Sequence, residues 1–116
     1  MHSKTGELAA YKFALDEHAI VAVTDRLGHI IDVNDHFCAS SKFSREELIG
    51  QKQSIVNSDH HPKKFHSDIW QIIAAGKSWK GEIRNLAKDG SLYWVHTTIV
   101  PRFDQAGAIA GFVSIG

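Results

Sequence analysis

Trp79-Lys80-Gly81-Glu82-Ile83-Arg84-Asn85-Leu86-Ala87 and Ser91-Leu92-Tyr93-Trp94-Val95-His96-Thr97-Thr98-Ile99-Val100 stand on either side of Lys88-Asp89-Gly90. Asp-Gly supplies the backbone freedom of a tight reversal, and the flanks are rich in β-branched and aromatic residues, so the stretch reads as a β-hairpin. Downstream, Phe103-Asp104-Gln105-Ala106-Gly107 turns the chain again into a last strand, Ala108 to Ile115. Upstream, Ala19 to Thr24 is a compact β-leaning run, Asp25-Arg26-Leu27-Gly28 is a turn, and His29 to Val33 returns as a second strand. Three consecutive hairpin-linked strands and an earlier pair are buried together in one antiparallel sheet with helices over one face. The fold class is therefore α+β, with five strands.

Between the two strand groups the sequence predicts helices. Asn34 or Asp35 caps a short one through Ala39, and Ser44 followed by Glu47 is a capping box closed by Gly50. After an irregular stretch, Gln51 to His61, Pro62 opens a helix that sets Phe65, Ile69, Ile72 and Ile73 on one side and ends at Gly76. It is expected to be the longest in the chain. Ahead of everything, Gly6 to Asp16 reads as a short amphipathic helix with Lys12 as its misfit. Pro62 and Pro101 are expected at element boundaries, and Gly76, Gly81 and Gly90 in turns.

The remaining composition bounds what such a domain does. With 116 residues there is room for one ordinary core, and 43% hydrophobic against 22% charged residues is a globular balance. Basic and acidic residues are equal at 13 each, so no global positive field favours nucleic acid. The one cysteine, Cys38, forms no internal disulfide, which suits a reducing cytoplasm. The longest apolar run, Ala19 to Val23, is far below the ~20 residues of a membrane-crossing helix, and Met1-His2-Ser3-Lys4 lacks a signal peptide's apolar stretch. No direct membrane contact is expected. No nucleophile elbow, phosphate-cradling loop or catalytic dyad is present, so the domain is not expected to be an enzyme. Among eight histidines, the adjacent His60-His61 lacks the spacing of a helical metal pair, and no metal site is expected.

Ile20-Val21-Ala22-Val23-Thr24-Asp25, Val33-Asn34-Asp35-His36-Phe37, Phe43-Ser44-Arg45-Glu46-Glu47-Leu48-Ile49-Gly50 and Lys88-Asp89-Gly90 before Tyr93-Trp94-Val95 follow in an order and at spacings that resemble the PAS sensor-domain family. The resemblance runs from about Phe13 to Gly116 and implies a PAS fold over residues 18–116, with residues 1–17 as a flanking helix. Asp68-Ile69-Trp70, Gly76, Trp79-Lys80-Gly81 and Arg84-Asn85 narrow it to the FAD-binding PAS domains of aerotaxis transducers and nitrogen-fixation redox regulators. That likeness implies a cytoplasmic redox or oxygen sensor binding FAD non-covalently. In it, Trp70 packs by the isoalloxazine, Asn85 hydrogen-bonds the ring's polar edge, and the segment from Asn57 to His61 borders the adenine-dinucleotide end.

The pattern also departs from its relatives. Asn57-Ser58-Asp59-His60 stands where the aerotaxis group has Arg-His-Pro-Asp, so that group's cation for the pyrophosphate is missing. Gln53 stands where light-sensing LOV domains place a reactive cysteine, and Gly116 where they carry a glutamine, so cysteinyl photochemistry is not expected. By its residue type alone, Trp70 could equally be core packing and Asn85 a solvent-facing strand residue. Asn34 either caps the next helix, the simpler account, or reaches the ligand. His61 and His66 flank the start of the long helix, where some haem-binding PAS domains carry their axial ligand, so haem is the alternative cofactor and a ligand-free interaction module the other. The N-terminal helix, whose apolar face has little core left to cover, is expected to pair with its twin in a homodimer. The output is expected from a downstream effector such as a histidine kinase of a two-component system, a chemotaxis transducer or a diguanylate cyclase.

Overall fold

A computed structural model describes residues 4–116, with side chains from Gly6 onward; the polar start at Met1-His2-Ser3 lies outside the described residues. The elements run α1 (Lys4–His18), β1 (Val21–Asp25), β2 (Ile30–Val33), α2 (Asp35–Ser41), α3 (Arg45–Leu48), a 3-10 turn (Gln53–Val56), α4 (Lys63–Ala74), β3 (Trp79–Leu86), β4 (Leu92–Phe103) and β5 (Ile109–Ile115). The strands form one antiparallel sheet in the order β2-β1-β5-β4-β3, which brings the last strand to the centre beside the first.

Local chemistry sets the boundaries. The Ser44 hydroxyl accepts from the Glu47 N–H while the Glu47 carboxylate accepts from the Ser44 N–H, completing the capping box. Gly90, at φ +88°, closes the β3–β4 hairpin, and the Asp89 carboxylate accepts from the Ser91 N–H and from the Lys42 ammonium at 2.7 Å, tying that turn to the end of α2. In register, Ile83 faces Val95, Asn85 faces Tyr93, and Ile99 faces both Trp79 and Ser114. Alternate residues of β3, β4 and β5 therefore point to the helix-covered face.

Four expectations are corrected. The longest helix is α1, at 15 residues, rather than α4 at 12. Its apolar residues do not form one buried stripe: Leu8 and Tyr11 share a side but are exposed, and Phe13 lies off it and is exposed too. Pro101 lies inside β4, opposite Phe112. Beyond the Trp79–Ile99 pair β4 has no β3 neighbour, so one side of the strand there is an edge, where a residue without an N–H is tolerated. Gly81 is a strand residue rather than a turn, paired with Thr97 in the β3–β4 ladder, and its missing side chain leaves room for the Trp79 indole: a Cβ would sit 2.7 Å from that ring.

Burial divides the apolar interior in two. Ala22, Ile30, Val33, Phe37, Leu48 and Val56 pack where the first hairpin meets α2 and α3, and Ile69, Ile73 and Phe112 pack where α4 crosses the central strands. Hydrophobic burial of this kind contributes roughly 25 cal/mol per Å² of apolar surface removed from water. Among the described residues no helix is long and apolar enough to cross a membrane.

Candidate functional site

The two apolar clusters are separated by a cavity of about 600 Å³. Its floor is the alternating face of the sheet: Ile83 and Asn85 from β3, Tyr93, Val95, Thr97 and Ile99 from β4, and Phe112 and Ser114 from β5. Its roof is α4, through Ile69, Trp70 and Ile73, and its rim is the segment from Lys52 to Asn57 with Leu27 and Gly28 of the first hairpin turn. That volume lies in the range of small-molecule sites, and an apolar lining with a few placed polar groups is their usual chemistry.

Trp70 is 41% exposed, whereas its neighbours Ile69 and Ile73 are 6% and 4% exposed and carry the packing of α4. The indole meets Phe112 edge-on with centroids 5.5 Å apart, and lies against Gly28, whose Cβ, if it had one, would be 3.8 Å from the ring. Trp70 thus forms a wall of the cavity and is not core packing.

Asn85 stands on the floor opposite Tyr93. Burial pushes the Tyr93 phenol up from its ordinary value, and a hydrogen bond from the Asn85 side chain works the other way. Asn57 is joined to Asn85 by an isolated antiparallel bridge and lines the same cavity. The structure thus brings together Trp70, Asn85 and Asn57.

It does not bring Asn34 or His61 to that cavity. The Asn34 Oδ1 accepts from the Phe37 N–H and the Val21 N–H, both at 3.0 Å, and its Nδ2 donates to the Ala19 carbonyl at 2.6 Å and the Asp16 carbonyl at 3.3 Å. Every polar atom of that amide serves the junction of α1, β1 and α2, so Asn34 is a cap and not a ligand group. The His61 ring is stacked on Phe65 with centroids 4.0 Å apart, and its Nε2 accepts from the Arg84 N–H at 3.0 Å. It fastens the loop before α4 to β3 and stands outside the lining. Burial and the neighbouring His60 and His66 hold its imidazole below the ordinary histidine range.

His66, in contrast, lines the cavity. Its Nε2 is buried with no hydrogen-bond partner among the described residues, and burial alone pushes its pKa down. Several lining residues were not proposed as site residues from sequence: Lys52, Ser54, Tyr93 and Thr97. Tyr93 and Thr97 were within reach, since each is a polar residue in phase with the apolar Val95 and Ile99 along β4. The rim residues belong to an irregular stretch with no period to read.

A five-stranded antiparallel sheet in the order β2-β1-β5-β4-β3, covered on one face by short helices, is the architecture of a sensory domain. The PAS domain family profile matches residues 17–116, and the chain belongs to that family of signal-transduction modules. It is similar to the aerotaxis receptor of Escherichia coli, 33% identical over 100 residues, covering 86% of this chain and 20% of that protein. It is also similar to the nitrogen fixation regulatory protein of Klebsiella pneumoniae, 29% identical over 105 residues, covering 89% of this chain and 21% of that protein. The crystal structure of a PAS domain from Colwellia psychrerythraea superposes with a TM-score of 0.83 at 28% identity, covering 94% of this chain and 93% of that one. The chain spans about a fifth of the length of these curated relatives.

Proposed function

We propose that this domain holds FAD non-covalently in the cavity between α4 and the sheet and reports its oxidation state as a redox or oxygen sensor. The observation that carries the reading is the pairing of Trp70, a half-exposed indole on one wall, with Asn85, an amide on the floor. An apolar slot bounded by Trp70, Ile69, Ile83 and Phe112 suits a flat ring system, and amides at Asn85, Asn57 and Gln53 suit its polar edge. When bound, a flavin supplies a reversible couple whose reduction adds a proton to the ring and changes the hydrogen bonds it requires. The Asn85 amide donates at one end and accepts at the other, so turning it over answers that change. Its partners Asn57 and Tyr93 carry the shift to the loop before α4 and into β4. The similarity to proteins named for aerotaxis and nitrogen-fixation regulation supports a signal of this class.

In this reading residues 18–116 are the cytoplasmic sensor and residues 1–17 a flanking helix whose exposed Leu8 and Tyr11 pair with a second copy. The output passes to an effector domain, a histidine kinase, chemotaxis transducer or diguanylate cyclase. Purified protein should carry flavin absorption or acquire it with added FAD, with quenching of tryptophan emission that is reduced in Trp70→Phe. Trp70→Ala and Asn85→Ala should lose flavin while remaining folded. A colourless protein that takes up no FAD overturns the proposal and leaves an interaction module.

One observation favours a second reading. The buried, unpartnered Nε2 of His66 on the cavity wall is the kind of group that ligates haem iron, whereas the corresponding nitrogen of His61 is already occupied by the Arg84 N–H. A Soret band in the purified protein, abolished by His66→Ala, would select haem over flavin.

A further inference from the structure

Charge is distributed over the cavity in a simple way. Among the described side chains that line it, Lys52 alone carries a full charge of either sign; the others are apolar, neutral polar, or, in His66, an imidazole that burial favours as neutral. The Lys52 side chain is exposed and has no ion-pair or hydrogen-bond partner among the described residues, whereas Lys12, His29, Lys42, Arg45, Lys64 and Lys88 each lie within ion-pair distance of a carboxylate. An unpaired cation at the mouth of a slot without acids makes the interior favour a ligand with a negative tail.

The backbone around this lysine is fixed. Lys52 pairs with His29 through an isolated bridge, the Gln53 N–H donates to the Gly28 carbonyl at 3.0 Å, and the Lys52 carbonyl accepts from the Ile55 N–H at 3.0 Å. Gly28 is also the residue against which the Trp70 indole lies. Trp70 and Lys52 therefore share one stretch of rim, bridged by Gly28, with the hydroxyls of Ser54 and Ser67 on the same lining. A substituent leaving a ring held at Trp70 passes a cation and hydroxyl donors, which is the donor set a phosphate needs.

We infer that Lys52 is the anion-binding residue of the site and that it selects phosphorylated flavins over riboflavin. This rests on the flavin reading and adds to it the group that holds the tail. FMN and riboflavin differ only in a phosphate, so their ratio isolates the interaction. The wild-type chain, titrated with riboflavin, FMN and FAD, should bind FMN and FAD about fivefold more tightly than riboflavin at low salt, with the margin shrinking as salt is added. Lys52→Gln should erase the margin and leave riboflavin affinity unchanged, which also reports that the variant is folded; Lys52→Glu should invert it. An FMN-to-riboflavin ratio near one in the wild type, or a margin that survives in Lys52→Gln, overturns the assignment of Lys52 while leaving the flavin reading standing. Failure of all three flavins to bind overturns the flavin reading, and the role of Lys52 falls with it.

Discussion

The backbone N–H of Arg84 donates to Nε2 of His61 at 3.0 Å, so β3 is latched to the loop before α4 by an imidazole that must be neutral to accept. The Ser58 hydroxyl donates to the carbonyl of the same Arg84, and Asn57 bridges Asn85 one residue on. The loop bordering the cavity is thus held along β3 by neighbouring contacts, one of them titratable.

This latch makes stability depend on pH. The folded imidazole is held below its ordinary value of about 6.5, so on acidification the unfolded chain takes up the proton first. Stability is full above about pH 6.5 and falls as the pH drops from there toward the folded-state value. Urea midpoints between about pH 7.5 and about pH 5.5 should decline accordingly, and His61→Gln, which offers an acceptor that does not titrate, should flatten the slope. His66, which burial also favours as neutral, adds to the slope in the same direction. A slope unchanged in His61→Gln would rule the latch out.

Asn34→Ala should cost about 2–4 kcal/mol, because it strips partners from the Val21 and Phe37 N–H groups and from the Ala19 carbonyl at a site only 8% exposed. Ligand affinity per folded molecule should not change. Chemical denaturation alongside a binding titration separates the two effects, and a loss of affinity without loss of stability would return Asn34 to the binding site.

Adjacent positions on α4 should respond in opposite ways. Ile69→Ala opens a hole beside Ile73 and Phe112 and should destabilise by about 2–4 kcal/mol. Trp70→Ala, at a residue 41% exposed, should cost only about 1 kcal/mol of stability yet abolish ligand retention. Melting curves with and without ligand test the pair, and similar destabilisation by both would make Trp70 a packing residue after all.

Gly111→Ala should be among the most damaging small substitutions. Gly111 lies in β5 between Asp25 and Arg102, and the Arg102 side chain crosses over it to donate to the Thr24 carbonyl at 2.9 Å. A methyl group there would collide with that carbonyl and with the guanidinium. A loss of about 2–4 kcal/mol is expected, with Arg102→Ala partly rescuing it. Simple additivity of the two changes in a double-mutant cycle would contradict this crossing.

The strands were legible because their signals are local: Lys88-Asp89-Gly90 turns, and the residues beside it alternate. The Ser44–Glu47 box was legible for the same reason. Pro101 was misplaced because its tolerance depends on where β3 ends, a fact of sheet register that no window around Pro101 contains. The length of α1 and the scatter of its apolar residues were misread because short periodic windows do not report what the rest of the fold leaves uncovered. Trp70 and Asn85, which line the cavity, were picked out through family likeness, while the helical spacing of Trp70 was equally compatible with burial. Lys52 escaped because its significance is the absence of other charges around a space formed by residues far apart in the chain. His61 had the right neighbourhood and the wrong assignment: its ring nitrogen is taken by a backbone donor 23 residues downstream.

An apolar interior split by a hollow lacks the cohesion of a continuous one, and whatever fills the hollow becomes part of the scaffold. Loading at a hundred times the dissociation constant adds about 2.7 kcal/mol to the folded state, as much as a well-packed core side chain. Under the proposed function, sensing and holding together would be a single equilibrium, and a change in how tightly the cofactor fits would alter the stability of the whole domain.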